Sequence, residues 1–400
     1  MAWWQSRIRG ALDLGADGFM QDFGEQVQAD MHFADGEVGA TMHNRYPVLY
    51  HAVTRQAVED YQRAHPARQL FFFTRAGYSG TPGSAASEGA NFPGDETTDF
   101  SRSAGLASQT TDMLNRAVGG AYGFSTDIGG YFDLGPYQPT TKELFLRWAE
   151  WAALSPLFRL HGSVLAGTHT PWSYDQQTVA VYEQLARLHA SARSLILRLW
   201  QEAAHTGVPI TRPLWLAYPG DTTAAAQDQE WLLGPDVLVA PVVEQGVASR
   251  SVYFPAGCWQ SPGASGPVNG PISRTVAAGL DTLPYYFRCG THPFNPPSGA
   301  RVTTRATCAR PGILRFRVHQ NNGRVYAVKV YAGRRLLRVL RARRIRMVSV
   351  RRPARPRFTL RIYDYTARHT RVLTTRRYGR CTKTRPITRV RHLRFPRHPR

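Results

Sequence analysis

Residues 17–23 read DGFMQDF, a short run that is mostly apolar and ends on the carboxylate of Asp22. Just before it, Gln5 to Leu14 extends a face begun by Trp4, Ile8 and Leu12 at helical spacing, and stops at Gly15. A helix, then a strand that delivers a polar side chain at its end, is the repeating unit of a parallel sheet. The pattern recurs downstream. Pro47 is placed to open a helix carrying Leu49, Val53, Ala57 and Tyr61, and QLFFFT (69–74) reads as a buried strand delivering Arg75. ANFPGD brings Asp95 and AYGFSTDIGG brings Asp127. Thr140 with Glu143 has the capping-box pattern at the head of KELFLRWAEWAAL, where Leu144, Trp148 and Trp151 form one stripe. From about Asp175 a long helix carries Val181, Leu185, Leu188, Ala192, Leu195 and Leu199 and ends at Gly207 and Pro209; PITRPLWL (209–216) reads as the last strand of this kind.

Five strands of this type are counted, each too far from the next for a hairpin, so the sheet is expected to be parallel. In such sheets the working residues sit at the carboxyl ends of the strands. From WLLGPDVLVAPVV onward the pattern changes to short strands with Gly and Pro turns, and HPFNPP (292–297) reads as a stiff linker. Beyond it ILRFRVHQ, YAVKVYA and RFTLRIYDY alternate with period two, and Asn322-Gly323 is a hairpin signal. The expected organisation is α/β plus all-β: an α/β body over 1–228, a β module over 229–292, and a second, basic β-sandwich-like domain over 293–400.

The composition, 42% apolar with 11% aromatic over 400 residues, excludes collagenous and disordered chains. No apolar run reaches the roughly 18 residues of a spanning helix, and the residues after Met1 do not read as an export signal. The net charge of +22 is unevenly placed. Residues 301–400 hold 31 of the 50 Lys and Arg against one acid, Asp364, so that stretch carries +30 and the first 300 residues −8. An anionic cell-surface polymer is the partner expected for this basic end; nucleic acid is not expected as the main one, because arginines alternating with apolar residues fit the solvated face of a sandwich.

Four cysteines occur, at 258, 289, 308 and 381, all in the β modules. Their spacing fits no zinc template, and one pair inside each module, Cys258 with Cys289 and Cys308 with Cys381, is the economical disulfide scheme, implying an oxidising compartment. Free buried thiols are the alternative.

Asp22 and Asp95 end different strands of one sheet, so both can reach one pocket. Two carboxylates facing a cleft suit glycoside hydrolysis, in which one attacks the anomeric carbon and the other protonates the leaving oxygen. Asp at a strand-to-helix junction is also a common helix cap, and Asp35, Asp99 and Asp133 belong to the same pool. Arg75, Asp127, Arg159 and His161 add donors and acceptors of the kind a sugar ring needs; Phe92, Tyr131, Trp148, Trp151 and Trp172 add aromatic faces, with core packing the competing role for the tryptophans. No metal cluster, phosphate loop or Ser-His-Asp order stands out, and Gly77, Gly80 and Gly83 read as loop.

GFMQDFGE, FFFTRAGYSG, FPGDET, FSTDIGGY, LFRLHGS and LLGPDVLVAPVV, in this order and spacing, resemble glycoside hydrolase family 31 over about residues 1–292. The resemblance implies a (β/α)8 barrel with flanking β-sandwiches and a retaining α-glycosidase that needs no cofactor or metal. It implies Asp22 as nucleophile and Asp95 as general acid/base, with Arg75, Asp127 and His161 binding the sugar and Arg159 supporting them. DFGE and DIGGY are closest to the sulfoquinovosidase branch, in which Tyr131 would help hold the sulfonate; an aromatic wall accepting any glucose-like ring is the other role open to it. By the same resemblance Met1 falls in the helix before the fourth barrel strand, so the chain is expected to hold strands 4–8 of a partial barrel, from a longer extracellular or cell-envelope protein. The alternative is a truncated inactive chain or a β-module binding protein.

Overall fold

The computed structural model describes residues 1–78, 90–132, 139–163, 169–262 and 266–297, together with Ile345 and the strands that lie between 313 and 393. The chain divides into two compact units, Met1–Arg301 and Val302–Arg400.

In the first unit, the helix Ala2–Asp13 leads into β1 (Gly18–Gln21). The helix Tyr46–Ala64 leads into β2 (Phe71–Thr74), and β3 (Ala90–Asn91) and β4 (Gly123–Phe124) follow. They form one parallel sheet in chain order, with Gly18–Gln21 in register with Phe71–Thr74. Ile8 and Leu12 of the first helix pack on Ala57 and Val58 of the second, with Phe19 and Phe72 beneath them. The second helix turns its face differently from the expected stripe. Four-residue steps drift by about 40° each around a helix of 3.6 residues per turn. Leu49 is therefore 40% exposed, while Ala57 of the expected stripe is buried together with Val48, His51, Thr54 and Val58.

The helix Lys142–Ala153 carries Trp148 and Trp151 fully buried, against Val181, Leu185, Leu188, Ala192, Leu195 and Leu199 of the 31-residue helix Gln176–Thr206. The long helix is capped by Asp175, whose Oδ1 accepts from Thr178 N at 2.9 Å, and stops at Gly207 in the left-handed conformation. The capping box is displaced. Thr141, not Thr140, accepts from Leu144 N; Thr140 is drawn to the Gly129 carbonyl, and Glu143 accepts from Gly246 N.

The expected fifth parallel strand is corrected. Within 209–216 only β5 (Thr211–Arg212) is strand, and it pairs antiparallel with β6 (Trp231–Leu233) before the chain turns into the short helix Leu214–Ala217. It opens a six-stranded sheet, order β5-β6-β7-β10-β8-β9, with β7 (Val237–Val239), β8 (Ser249–Gln260), β9 (Val268–Ala277) and β10 (Tyr285–Arg288). Cys258 and Cys289 are joined by a disulfide. Cys308 and Cys381 lie outside the described residues. The expected linker is anchored: Phe294 is buried against Phe287 and stacks on Tyr285.

In the second unit β11 (Ile313–Arg317) pairs antiparallel with β14 (Met347–Arg351). A five-stranded antiparallel sheet, order β13-β12-β15-β16-β17, holds β12 (Val325–Ala332), β13 (Arg335–Arg341), β15 (Phe358–Thr366), β16 (Arg371–Tyr378) and β17 (Ile387–Leu393). The described parts of all three alternating segments are strands in antiparallel sheets. Asn322-Gly323 lies outside the described residues; the described strands before and after it, β11 and β12, belong to different sheets.

Candidate active site

All four parallel strands deliver a charged side chain where they end. Asp22 follows β1 directly and Arg75 follows β2 directly, while Asp95 and Asp127 lie a few residues beyond β3 and β4. A strand end in a parallel sheet frees the backbone from its ladder and aims the next side chains into the cleft above the sheet. The turns are tight. Phe23 has φ 63, uncommon for a residue with a side chain, and its N–H donates to its neighbour's Asp22 Oδ1 at 2.9 Å. Gly94, at φ 103, lies so close to Arg75 that a Cβ there would meet its Cδ at 3.3 Å.

Arg75 gathers the carboxylates. Its Nη1 lies 3.1 Å from Asp22 Oδ1 and 3.4 Å from Asp95 Oδ1, so those two oxygens are no farther apart than the two contacts laid end to end. The same guanidinium forms an ion pair with Glu25 and lies 4.5 Å from the Phe23 ring centroid. Asp95 has its pKa raised, first by burial and then by the charges of Asp22 and Asp127, against the opposing pull of Arg75. A carboxyl whose pKa is raised beside a second carboxylate has the direction of shift that an acid catalyst needs.

The second group surrounds Asp127, which is fully buried. Arg159 forms an ion pair with its Oδ1, and His161 Nδ1 is 3.3 Å from its Oδ2. Arg159 is held by Ser125 Oγ at 3.0 Å and rests over the rings of Phe73 and Phe92 at 5.0 and 4.9 Å. The ring of Tyr131 packs on that of His161 with centroids 5.2 Å apart, and its hydroxyl pKa is raised by burial and by Asp95, Asp127 and Asp22. Asp22 and Asp95, two of the charges acting on Tyr131, are also partners of Arg75.

All seven residues singled out for catalysis or binding thus fall in two linked clusters on one end of the sheet. Of the other candidates, Phe92 lies under Arg159 in the second cluster, and the remaining described ones do not join the clusters. Asp35 caps a turn through Glu37 N and Asp99 another through Ser101 N. Trp148 and Trp151 are core, Trp172 is 70% exposed, and Asp133 lies outside the described residues. Two carboxylates escaped the sequence reading. Glu25 is reached by Arg75 because the Phe23-Gly24 turn folds the chain back, and Glu96 is turned inward beside Asp95, where it meets Thr126 and Asp127. The signal for both was only their position, three residues after Asp22 and one after Asp95. Among the described residues no cluster of His, Cys, Asp and Glu is arranged to hold a metal ion, and no helix is long and apolar enough to cross a membrane.

Residues 1–193 match the glycosyl hydrolases family 31 TIM-barrel domain and residues 207–291 the glycosyl hydrolase family 31 C-terminal domain. The chain belongs to glycosyl hydrolase family 31. Among its curated relatives, a sulfoquinovosidase of Escherichia coli (strain K12) is 31% identical over 281 residues, 68% of this chain and 40% of the relative. A sulfoquinovosidase of Agrobacterium fabrum is 33% identical over 259 residues, 63% of this chain and 37% of the relative. Among solved structures, a family 31 sulfoquinovosidase from E. rectale in complex with an aza-sugar inhibitor superimposes with TM-score 0.67 at 32% identity, covering 73% of this chain and 43% of that one. The chain therefore spans about 40% of the length of the relatives it matches.

Proposed function

We propose that this chain carries the catalytic carboxylates of a retaining, exo-acting α-glycoside hydrolase. The observation that carries the reading is the single Arg75 Nη1 touching both Asp22 and Asp95. Retention requires the two carboxyls to lie about 5–5.5 Å apart, whereas inversion requires about 6.5–9.5 Å to admit a water. Two contacts of 3.1 and 3.4 Å to one atom favour the shorter class.

In the proposed cycle Asp22 attacks the anomeric carbon while Asp95 gives its proton to the leaving oxygen, forming a β-glycosyl ester. Asp95, now ionised, takes a proton from water as the water oxygen attacks the anomeric carbon; the bond from that carbon to Asp22 breaks, releasing the α-sugar and the Asp22 carboxylate. Asp127 and His161 would take sugar hydroxyls, Arg159 would hold Asp127 in place, and Tyr131 would wall the ring. Relatives that are sulfoquinovosidases make sulfoquinovosides the first substrates to assay, beside α-glucosides, for which Tyr131 would serve only as an aromatic wall. The Cys258–Cys289 disulfide supports an extracellular or cell-envelope location. For the +30 stretch at 301–400, we propose an anionic cell-surface polymer as partner, with binding that falls steeply with salt.

The test uses substrates of two leaving-group strengths. Asp22→Asn is expected to abolish turnover of both. Asp95→Asn is expected to cost about 10²–10⁴-fold on a poor leaving group, the range of general acid catalysis, and far less in the glycosylation step on an activated aryl glycoside. Equal losses on both substrates in the Asp95 variant would remove it from the acid role.

A further inference from the structure

Beside the two clusters sits a carboxylic acid that the proposed cycle does not use. Glu96 is 3% exposed and forms no ion pair among the described residues. Its Oε1 lies 2.7 Å from Thr126 Oγ1 and 3.2 Å from Asp127 N, while its Oε2, equally buried, has no hydrogen-bond partner there. Its main-chain carbonyl accepts from the N–H groups of both Tyr131 and Phe132 at 2.8 Å. One residue, next in the chain to Asp95, is thus tied to the loops that carry Asp127 and Tyr131.

We propose that Glu96 is a positioning residue of the active site and works as a neutral carboxylic acid, locking the Asp95 loop to the Asp127 loop. The protons must be counted. Thr126 Oγ1 is 2.7 Å from Glu96 Oε1 and 3.1 Å from Gln109 Oε1, and it accepts from Trp148 Nε1 at 3.0 Å. The Gln109 amide is fixed in orientation, because its Nε2 is 3.0 Å from the Gly105 carbonyl, which only a donor can face. A hydroxyl has one proton, so Thr126 can serve Glu96 or Gln109 but not both. If Glu96 is ionised, one of these buried oxygen pairs has no proton between its members. If Glu96 carries a proton on Oε1, it donates to Thr126, Thr126 donates to Gln109, and Trp148 completes Thr126; every contact is satisfied.

Electrostatics agrees with this count. Burial and the charge of Asp127 both push the Glu96 carboxyl well above the usual range, against hydrogen bonds from Thr126 and Asp127 N that favour the charged form. The groups from the other packed elements, Gln109 and Trp148, are uncharged, and the nearby Arg159 guanidinium and His161 ring are engaged with Asp127. A neutral Glu96 leaves Asp127 as the buried carboxylate of this cluster that Arg159 and His161 hold.

This inference rests on the reading of the site as glycosidic only for its effect on rate, so the full chain is tested by two readouts. In infrared spectra of protein carrying ¹³C-labelled glutamate, wild type at neutral pH should show a protonated-carboxyl C=O stretch that Glu96→Gln lacks; identical spectra would overturn the proposal whether or not the chain turns over sugar. In assays, Glu96→Gln, which keeps a donor at this position, should stay within about threefold of wild-type kcat/KM with an unchanged pH profile. Glu96→Ala should lose about a hundredfold, the cost of misplacing reacting groups by about 1 Å. Loss in Glu96→Gln equal to that in Glu96→Ala would mean that the charge is needed and would sink the neutral-acid assignment. A wild type without turnover, with the infrared band present, would reject the glycosidase reading and leave this one standing.

Discussion

Arg75 is the residue on which the electrostatics of the cleft turns. It is bound to Asp22, Glu25 and Asp95 at once, and its charge opposes the burial and the neighbouring carboxylates that raise the Asp95 pKa. The sign of its removal follows. In Arg75→Met the Asp95 carboxyl loses the charge that favours ionisation, so its pKa rises further. Because kcat/KM falls as the pH rises through the pKa of an essential acid, the alkaline limb of the profile should move to higher pH, with a lower plateau from the lost positioning. A limb moving to lower pH would show that Asp95 is not the group titrating. At this scale the sequence was legible where a strand ends on a charged residue, as at Asp22 and Arg75. Glu25 and Glu96 were not legible, because what makes them part of the site is a partner 50 or 31 positions away in the chain.

The elements were legible in proportion to their length. The Gln176–Thr206 helix announces itself through six apolar positions, an Asp cap and a terminal glycine, and all six are buried. The parallel strands β3 and β4 are two residues each, too short to show a period, and were found only through the polar residues beyond them. The cap of the Lys142–Ala153 helix shows how close alternatives compete. Thr140 and Thr141 are equally good caps by type, and Thr140 is taken instead by the Gly129 carbonyl and His169. Thr141→Ala should therefore lower stability by about 1 kcal/mol in urea unfolding, as for other lost caps. An unchanged midpoint would place the cap elsewhere.

Across the whole first unit, contacts distant in sequence join the α/β part to the antiparallel sheet. Arg147, fully buried on its helix, pairs with Glu150 and donates to the carbonyls of Val247, Ala278 and Gly279. The disulfide closes a stretch of 31 positions across β8 and β10. Constraining an unfolded loop of that length is worth about 3–4 kcal/mol in the chain-entropy account, so Cys258→Ser with Cys289→Ser should lose that much in equilibrium unfolding, and a variant as stable as wild type would contradict it. The amino-acid sequence by itself determined the alternation of helices and strands, the change to β modules, the carboxylates at strand ends and this cysteine pair, because each is written in local periodicity, composition or position. Tertiary structure alone decided that 211–212 joins the antiparallel sheet, that Leu49 leaves the buried face, that one guanidinium holds three carboxylates, and that Glu96 is sealed from water. Those outcomes depend on which distant backbone or side chain is there to satisfy a hydrogen bond or a charge, and no local pattern encodes that.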